Sequence, residues 1–256
     1  MISLSASSAV LLILFGLAAG VGITAVGPGG VLATVGLFTL TRLSPAHVAG
    51  TALVTHVATG TLGTAAYIRS GELRDPATRR IVAIIAAAAC LGAPLGVTIN
   101  TLIAPRVFGA LLSALAVLTC VRVWRRNRRL PKATDAPSRI ATVPLAVLGL
   151  AVGIAGGMFG IGGPMLMVPS LVALGAPILT ALAAAQAQSV VIAGVGSLGY
   201  LAHNAIDWPL AALVGVPELC GVLAGWAIAR TLPSRVLRGA LIATLLCLAP
   251  YLALRG

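Results

Sequence analysis

The sequence predicts an all-α polytopic membrane protein built as two inverted repeats. Each repeat is a glycine-broken helix or re-entrant hairpin followed by three spanning helices. Three observations predict it. Apolar runs of span length recur along most of the chain, glycine clusters break two of them at matching places, and matching loops carry opposite amounts of Arg. The hydrophobic fraction is 59%, the charged fraction 9% and the mean hydropathy +1.07. A soluble domain carries about 25% charged residues, so this chain cannot cover a water-exposed globule. Runs of about 20 apolar residues match the thickness of a bilayer. They are rich in Ala, Leu, Val and Ile and lack the alternation of a membrane barrel strand. Helices satisfy their own backbone in lipid, which selects them over open strands.

The first unit, 1–121, reads as a segment at 8–26, a break GPGG, a short segment at 31–41, and spans at 46–68, 81–99 and 104–121. The stretch 122–139 is a polar linker holding seven of the 17 basic residues and two prolines. The second unit, 140–256, repeats the order: 141–159, a break GIGG, 164–174, 178–202, 209–230 and 236–254. At a shift of 133 positions Gly16 meets Gly149, Gly20 meets Gly153, and Gly27, Gly29 and Gly30 meet Gly160, Gly162 and Gly163. Tyr67 meets Tyr200 and Pro76 meets Pro209. Fixed-period identity of this kind marks a duplication. The pairs Gly16/Gly20, Gly92/Gly96 and Gly156/Gly160 read as helix-packing faces.

Charge sets the orientation. The loop after 46–68 carries Arg69, Arg74, Arg79 and Arg80, whereas its counterpart HNAIDWP carries no Lys or Arg. The next loop reverses the bias: NTLIAPR against ARTLPSR with Arg238. Cytoplasmic loops collect Lys and Arg. The halves are therefore expected to be inverted, with 122–139 cytoplasmic and both termini outside. The net charge of +12 then reflects topology and anionic lipid, not nucleic acid. Residues 1–30 lack the basic n-region of a cleaved signal. Cys90, Cys120, Cys220 and Cys247 read as small buried hydrophobes.

A break inside hydrocarbon strands backbone groups at several kcal/mol each, so it must face protein, water or a ligand. Interrupted helices in inverted repeats mark transporters. The short segments each begin after a Gly-Gly pair, so each aims a helix N-terminus at its break. Two such ends suit an anion. The candidate site comprises Gly27, Pro28, Gly29 and Gly30 with Gly160, Ile161, Gly162 and Gly163. Uncharged donors from the following span would complete it: Thr51, Thr55 and His56 in one half, Gln186, Gln188 and Ser189 in the other. Those hydroxyls could instead bond their own helix, and His56 could pack an interface or relay protons. Glu218 is the only acid inside a predicted span, which argues against a cation site. No cofactor or metal is expected, and no H-E-x-x-H or paired-Asp cluster suggests an enzyme. With so few ionisable groups, potential-driven efflux is the expected mode. Proton coupling through His56 or Glu218 is the alternative, and a non-transport assembly protein is the other class left open, as is a homodimer.

The paired breaks VGPGGVL and FGIGGPMLMVP, GTAL at 50–53, the tyrosines ahead of RSGELR and HNAIDW, and the closing GVLAGWAIARTLPSRVLR carry a resemblance. The chain resembles the sulfite exporter TauE/SafE family. That resemblance implies export of sulfite, sulfoacetate or a related organosulfur anion across the bacterial inner membrane.

Overall fold

The computed structural model describes residues 4–115, 140–233 and 236. The described residues are helical, with no strand. In order the helices are α1 (Ala6–Ala25), α2 (Gly30–Leu40), α3 (Pro45–Arg69), α4 (Pro76–Leu102), α5 (Pro105–Leu115), α6 (Thr142–Phe159), α7 (Pro164–Ala173), α8 (Ile178–Ala202) and α9 (Trp208–Thr231). Local chemistry sets several of the starts. Ser44, Asp75 and Asp207 each accept a hydrogen bond from a backbone N–H three residues on, and each is followed within two residues by a proline. A capping side chain and a proline at the first helical turn both favour initiation. The N–H and the hydroxyl of Thr78 both bond the exposed Asp75 carboxyl and hold it below its ordinary value.

Among the described residues five helices are long and apolar enough to cross a membrane: α1, α4, α6, α8 and α9. α3 has 25 residues, which gives it the length, but its threonines and His56 lower its hydropathy. The span expected at 104–121 is described as far as Leu115, the one expected at 236–254 only at Val236, and the linker at 122–139 lies outside the described residues. α2 and α7, at 11 and 10 residues, reach about 15–17 Å, half a hydrocarbon core.

Packing crosses between the two sequence halves. α1 lies along α9 and α4 along α6, while α3 and α8 cross at the centre. Glycines make these contacts close. A methyl group at Gly20 would strike the Glu218 carbonyl, and one at Gly221 the Leu17 carbonyl. On the α4–α6 seam, Gly96 faces Ile154 and Gly157 faces Ala93 in the same way. Small residues let membrane helices approach backbone to backbone. Gly16/Gly20 and Gly92/Gly96 act as the sequence predicts. Gly156 and Gly160 divide: the first meets Ile192, the second Ala49. Arg80 ties the start of the second half to α4 through the Ile140 carbonyl at 3.2 Å and the Thr142 hydroxyl at 2.6 Å.

The cysteine expectation needs correcting. Cys90 and Cys220 are exposed on the outer face of their helices. In this chain the exposed surface is the apolar one a bilayer covers, so a small hydrophobe need not be internal. Cys120 and Cys247 lie outside the described residues.

Candidate functional site

Each break is built from glycine conformations that other residues resist. Gly27 has φ 110°, Gly160 φ 69° and Gly162 φ 66°. α1 ends with the Gly27 N–H on the Gly22 carbonyl at 2.7 Å, and α6 ends with Gly160 as its left-handed cap. Left-handed glycine is the common way to stop a helix. Stopping leaves carbonyls without donors. Thr24 is one: four residues on stands Pro28, which has no N–H. The Tyr67 hydroxyl donates to the Thr24 carbonyl at 2.8 Å, and the Tyr200 hydroxyl donates to the Gly157 carbonyl at 2.8 Å. Donors and acceptors here are related by the same 133-residue shift.

The two breaks meet. A methyl group at Gly27 would stand 3.0 Å from the Val168 Cβ on α7, and one at Gly30 would stand 2.8 Å from the Ile161 carbonyl oxygen. Thr34, in the second turn of α2, donates to the Gly160 carbonyl at 3.0 Å. Every residue from Val26 to Val31 and from Phe159 to Met165 is buried. Among the described residues no hydrogen bond reaches the N–H of Gly29, Gly30, Ile161, Gly162 or Gly163. Neither Gly29 nor Gly163 is joined by a capping side chain. A buried polar group left unpaired costs about 1–3 kcal/mol, so this is an expensive arrangement unless something binds it.

His56 sits between the breaks, 1% exposed. Its Nε2 lies 3.2 Å from where a methyl group at Gly30 would be, and its Nδ1 3.6 Å from the corresponding point at Gly162. The Ser189 hydroxyl oxygen is 2.8 Å from that second point, and the Gln188 Oε1 is 3.1 Å from the equivalent point at Gly163. Nε2 of His56 is also 3.1 Å from Oε1 of Glu218, and the Thr55 hydroxyl is 2.7 Å from its Oε2. Glu218 is fully buried. His56 and Glu218 are in contact but off the hydrogen-bond direction, and His56 Nδ1 and Gln188 Oε1 have no hydrogen-bond partner either.

The fold thus brings Gly30, Ile161, Gly162 and Ser189 close to His56, with Thr55 joined through Glu218, and Gln188 Oε1 beside Gly163 while its amide nitrogen donates to the Ile85 and Gly149 carbonyls. Pro28 is buried in the first turn, its carbonyl accepting from the Val31 N–H at 3.4 Å. Gly29 lets α2 fold back on Ile23 and Ala19. Thr51 is turned away: its hydroxyl accepts the Asp207 N–H at 2.9 Å. Gln186 faces α1 and donates to the Ile23 carbonyl at 3.0 Å. Sequence reasoning left four contributors out of the site. Glu218 had a signal, being the one acid in a predicted span. Tyr67 and Tyr200 had one too, being the matched tyrosines of the repeat. Thr34 had none. Among the described residues no group of His, Cys, Asp and Glu could hold a metal ion.

The family model described as Sulfite exporter TauE/SafE matches residues 12–252. A relative from Bacillus subtilis (strain 168), "Probable membrane transporter protein YdhB", is 27% identical over 223 residues, covering 86% of this chain and 89% of its own. No solved structure matches. With its paired glycine breaks inside a helical bundle and a match over nearly its whole length, the chain belongs to the Sulfite exporter TauE/SafE family of membrane transporters.

Proposed function

We propose that the chain carries a small sulfur oxyanion or organosulfonate, of the sulfite or sulfoacetate kind, outward across the bacterial inner (plasma) membrane. The anion is held between the starts of α2 and α7. The observation that carries this reading is the meeting of two buried breaks whose backbone N–H groups have no partner among the described residues. Paired helix starts add partial positive charge without a fixed cation, which allows release as well as binding. Ser189 and the imidazole of His56 supply further donors. The crosswise packing of α1 on α9 and α4 on α6 supports two repeats, 1–121 and 140–256, that are inverted about this point. In that arrangement 122–139 is cytoplasmic and both termini are outside.

The test is a melting series on the purified protein in detergent with sulfite, sulfate, thiosulfate, sulfoacetate and taurine against sodium chloride. A ligand bound only by the folded state at a hundredfold its Kd adds about 2.7 kcal/mol. A rise with at least one sulfur anion and none with sodium supports the reading. Stabilisation by sodium alone refutes it.

A second reading concerns the driving force. The potential drives an anion outward at about 2.3 kcal/mol per charge per 100 mV, and the sparse ionisable groups make it the simplest source. The juxtaposition of His56 and Glu218 favours the proton-coupled alternative.

A further inference from the structure

We propose that the His56–Glu218 pair takes up one proton each time the anion enters, so that a dianion crosses with one proton and one net negative charge. The proposal rests on the anion reading above and adds a second ligand to the same site.

Three observations carry it. The first is that Glu218 is fully buried and His56 is 1% exposed, with their facing atoms 3.1 Å apart. A net charge buried without compensation is costly, so a ligand that brings charge here must bring its compensation with it. The second is the direction of the ring. Nε2 addresses Glu218 while Nδ1, without a hydrogen-bond partner, faces the Gly162 break. An imidazolium can therefore donate its Nδ1–H to an anion there while its other N–H stays beside the carboxylate.

The third is Thr55. Its oxygen lies 2.7 Å from Glu218 Oε2 and 2.9 Å from the Ala52 carbonyl oxygen. A hydroxyl has one hydrogen to give and lone pairs to accept with. While Glu218 is ionised, Thr55 donates to Oε2. Once Glu218 is protonated, the Oε2–H donates to Thr55 and Thr55 donates to Ala52. Both protonation states are thus hydrogen-bonded without moving a side chain.

Bringing a dianion beside an ionised Glu218 would bury three negative charges against one imidazolium. Buried charge without compensation is costly, so the carboxylate takes a proton instead. The balance is simple. A carboxylate and an imidazolium become a carboxylic acid and an imidazolium, and the proton comes from the side the anion enters and leaves with it. Among the described residues, neighbouring elements bring no competing ionisable group to this point, and Arg106 of α5 is exposed. α1, α2, α6 and α7 hold no Asp, Glu, His, Lys, Arg, Cys or Tyr. On α3, His47 is bonded to Ser44, Tyr67 to Thr24, and Arg69 lies at the far end. On α4, Cys90 is exposed and Arg79 and Arg80 lie near its start, Arg80 bonded to Ile140 and Thr142. Tyr200 of α8 is bonded to Gly157. On α9, Cys220 is exposed and Arg230 lies over Trp226.

The experiment measures equilibrium accumulation in proteoliposomes, with sulfoacetate and sulfate as probes because both are dianions at neutral pH. An inside-positive potassium–valinomycin potential is set to accumulate a univalent anion about tenfold; it accumulates an uncoupled dianion about a hundredfold. With equal pH on both sides we expect about tenfold, rising about tenfold further per unit of acidity imposed outside. His56→Gln, and the double variant with Glu218→Gln, should move to about a hundredfold and lose the pH dependence; a role in packing alone would slow the approach without changing the ratio. A wild-type ratio of a hundredfold or more, indifferent to pH, overturns the proposal and leaves the anion site standing. Variants that keep tenfold overturn the role of the pair. No accumulation of either probe by reconstituted wild type overturns the anion reading and this proposal with it. The wild-type measurement decides even if the variants fail to fold.

Discussion

Replacing Tyr67 and Tyr200 by phenylalanine, singly and together, tests how the breaks are held. Each hydroxyl donates to one carbonyl, of Thr24 or of Gly157, at 2.8 Å. Neither carbonyl has another donor in its own helix. The donor position for Thr24 is Pro28, and α6 has ended before Ile161 could serve Gly157. Removing the hydroxyl leaves a buried acceptor unpaired, worth about 1–3 kcal/mol at each site. The two hydroxyls share no hydrogen-bond partner, so the double variant should lose about the sum of the singles, near 2–6 kcal/mol. The assay is unfolding by sodium dodecyl sulfate in mixed micelles, followed by far-ultraviolet circular dichroism. Losses below about 0.5 kcal/mol in either single variant would refute the reasoning, because a surface-like effect means the tyrosine only packs.

Three further outcomes are expected. Gly162→Ala should strain a backbone at φ 66° by about 1–2 kcal/mol and press a methyl group toward Ser189 Oγ, which stands 2.8 Å from its place. Transport assayed in vesicles should fall sharply while membrane insertion, read by expression in the membrane fraction, persists. On a cysteine-free background, single cysteines at Thr101 and Asn204 should label from outside with an impermeant maleimide and one at Ala133 should not. Labelling of Thr101 but not Asn204 would end the inverted-repeat reading. Asp75→Ala should destabilise at neutral pH, and the gap to wild type should close in acid. The Asp75 carboxyl is lowered in the folded state from its ordinary 3.8. Its contribution is therefore full above 3.8 and lost as pH falls through the lowered folded value. Thermal melts at neutral and acid pH would show this.

Much of the bundle is legible along the chain because membrane helices are written in local chemistry. The expected span at 46–68 is α3 at Pro45–Arg69, and that at 178–202 is α8 at Ile178–Ala202. Glycines and prolines mark the breaks directly, since helix termination is decided within a few residues. The side chains at the site were less legible. Thr51 and Thr55 are one turn apart on the same face of α3, yet Thr51 meets Asp207 and Thr55 meets Glu218. Gln186 and Gln188 are two residues apart and so point to different neighbours, α1 in one case and the α4–α6 seam in the other.

Composition and pattern by themselves determined that this chain lives in a membrane, that it is helical, and that it repeats a broken helix. These follow from hydropathy, period and turn chemistry, all of which act over short stretches. Only the tertiary structure decided which carbonyl each tyrosine serves, that the two breaks touch, and that His56 and Glu218 are neighbours. Glu218 and Thr55 are 163 residues apart in sequence. Their meeting follows from how α3 and α9 pack against each other. In lipid that packing is decided by the fit of small residues and buried polar partners across helices, not by the sequence of either helix alone.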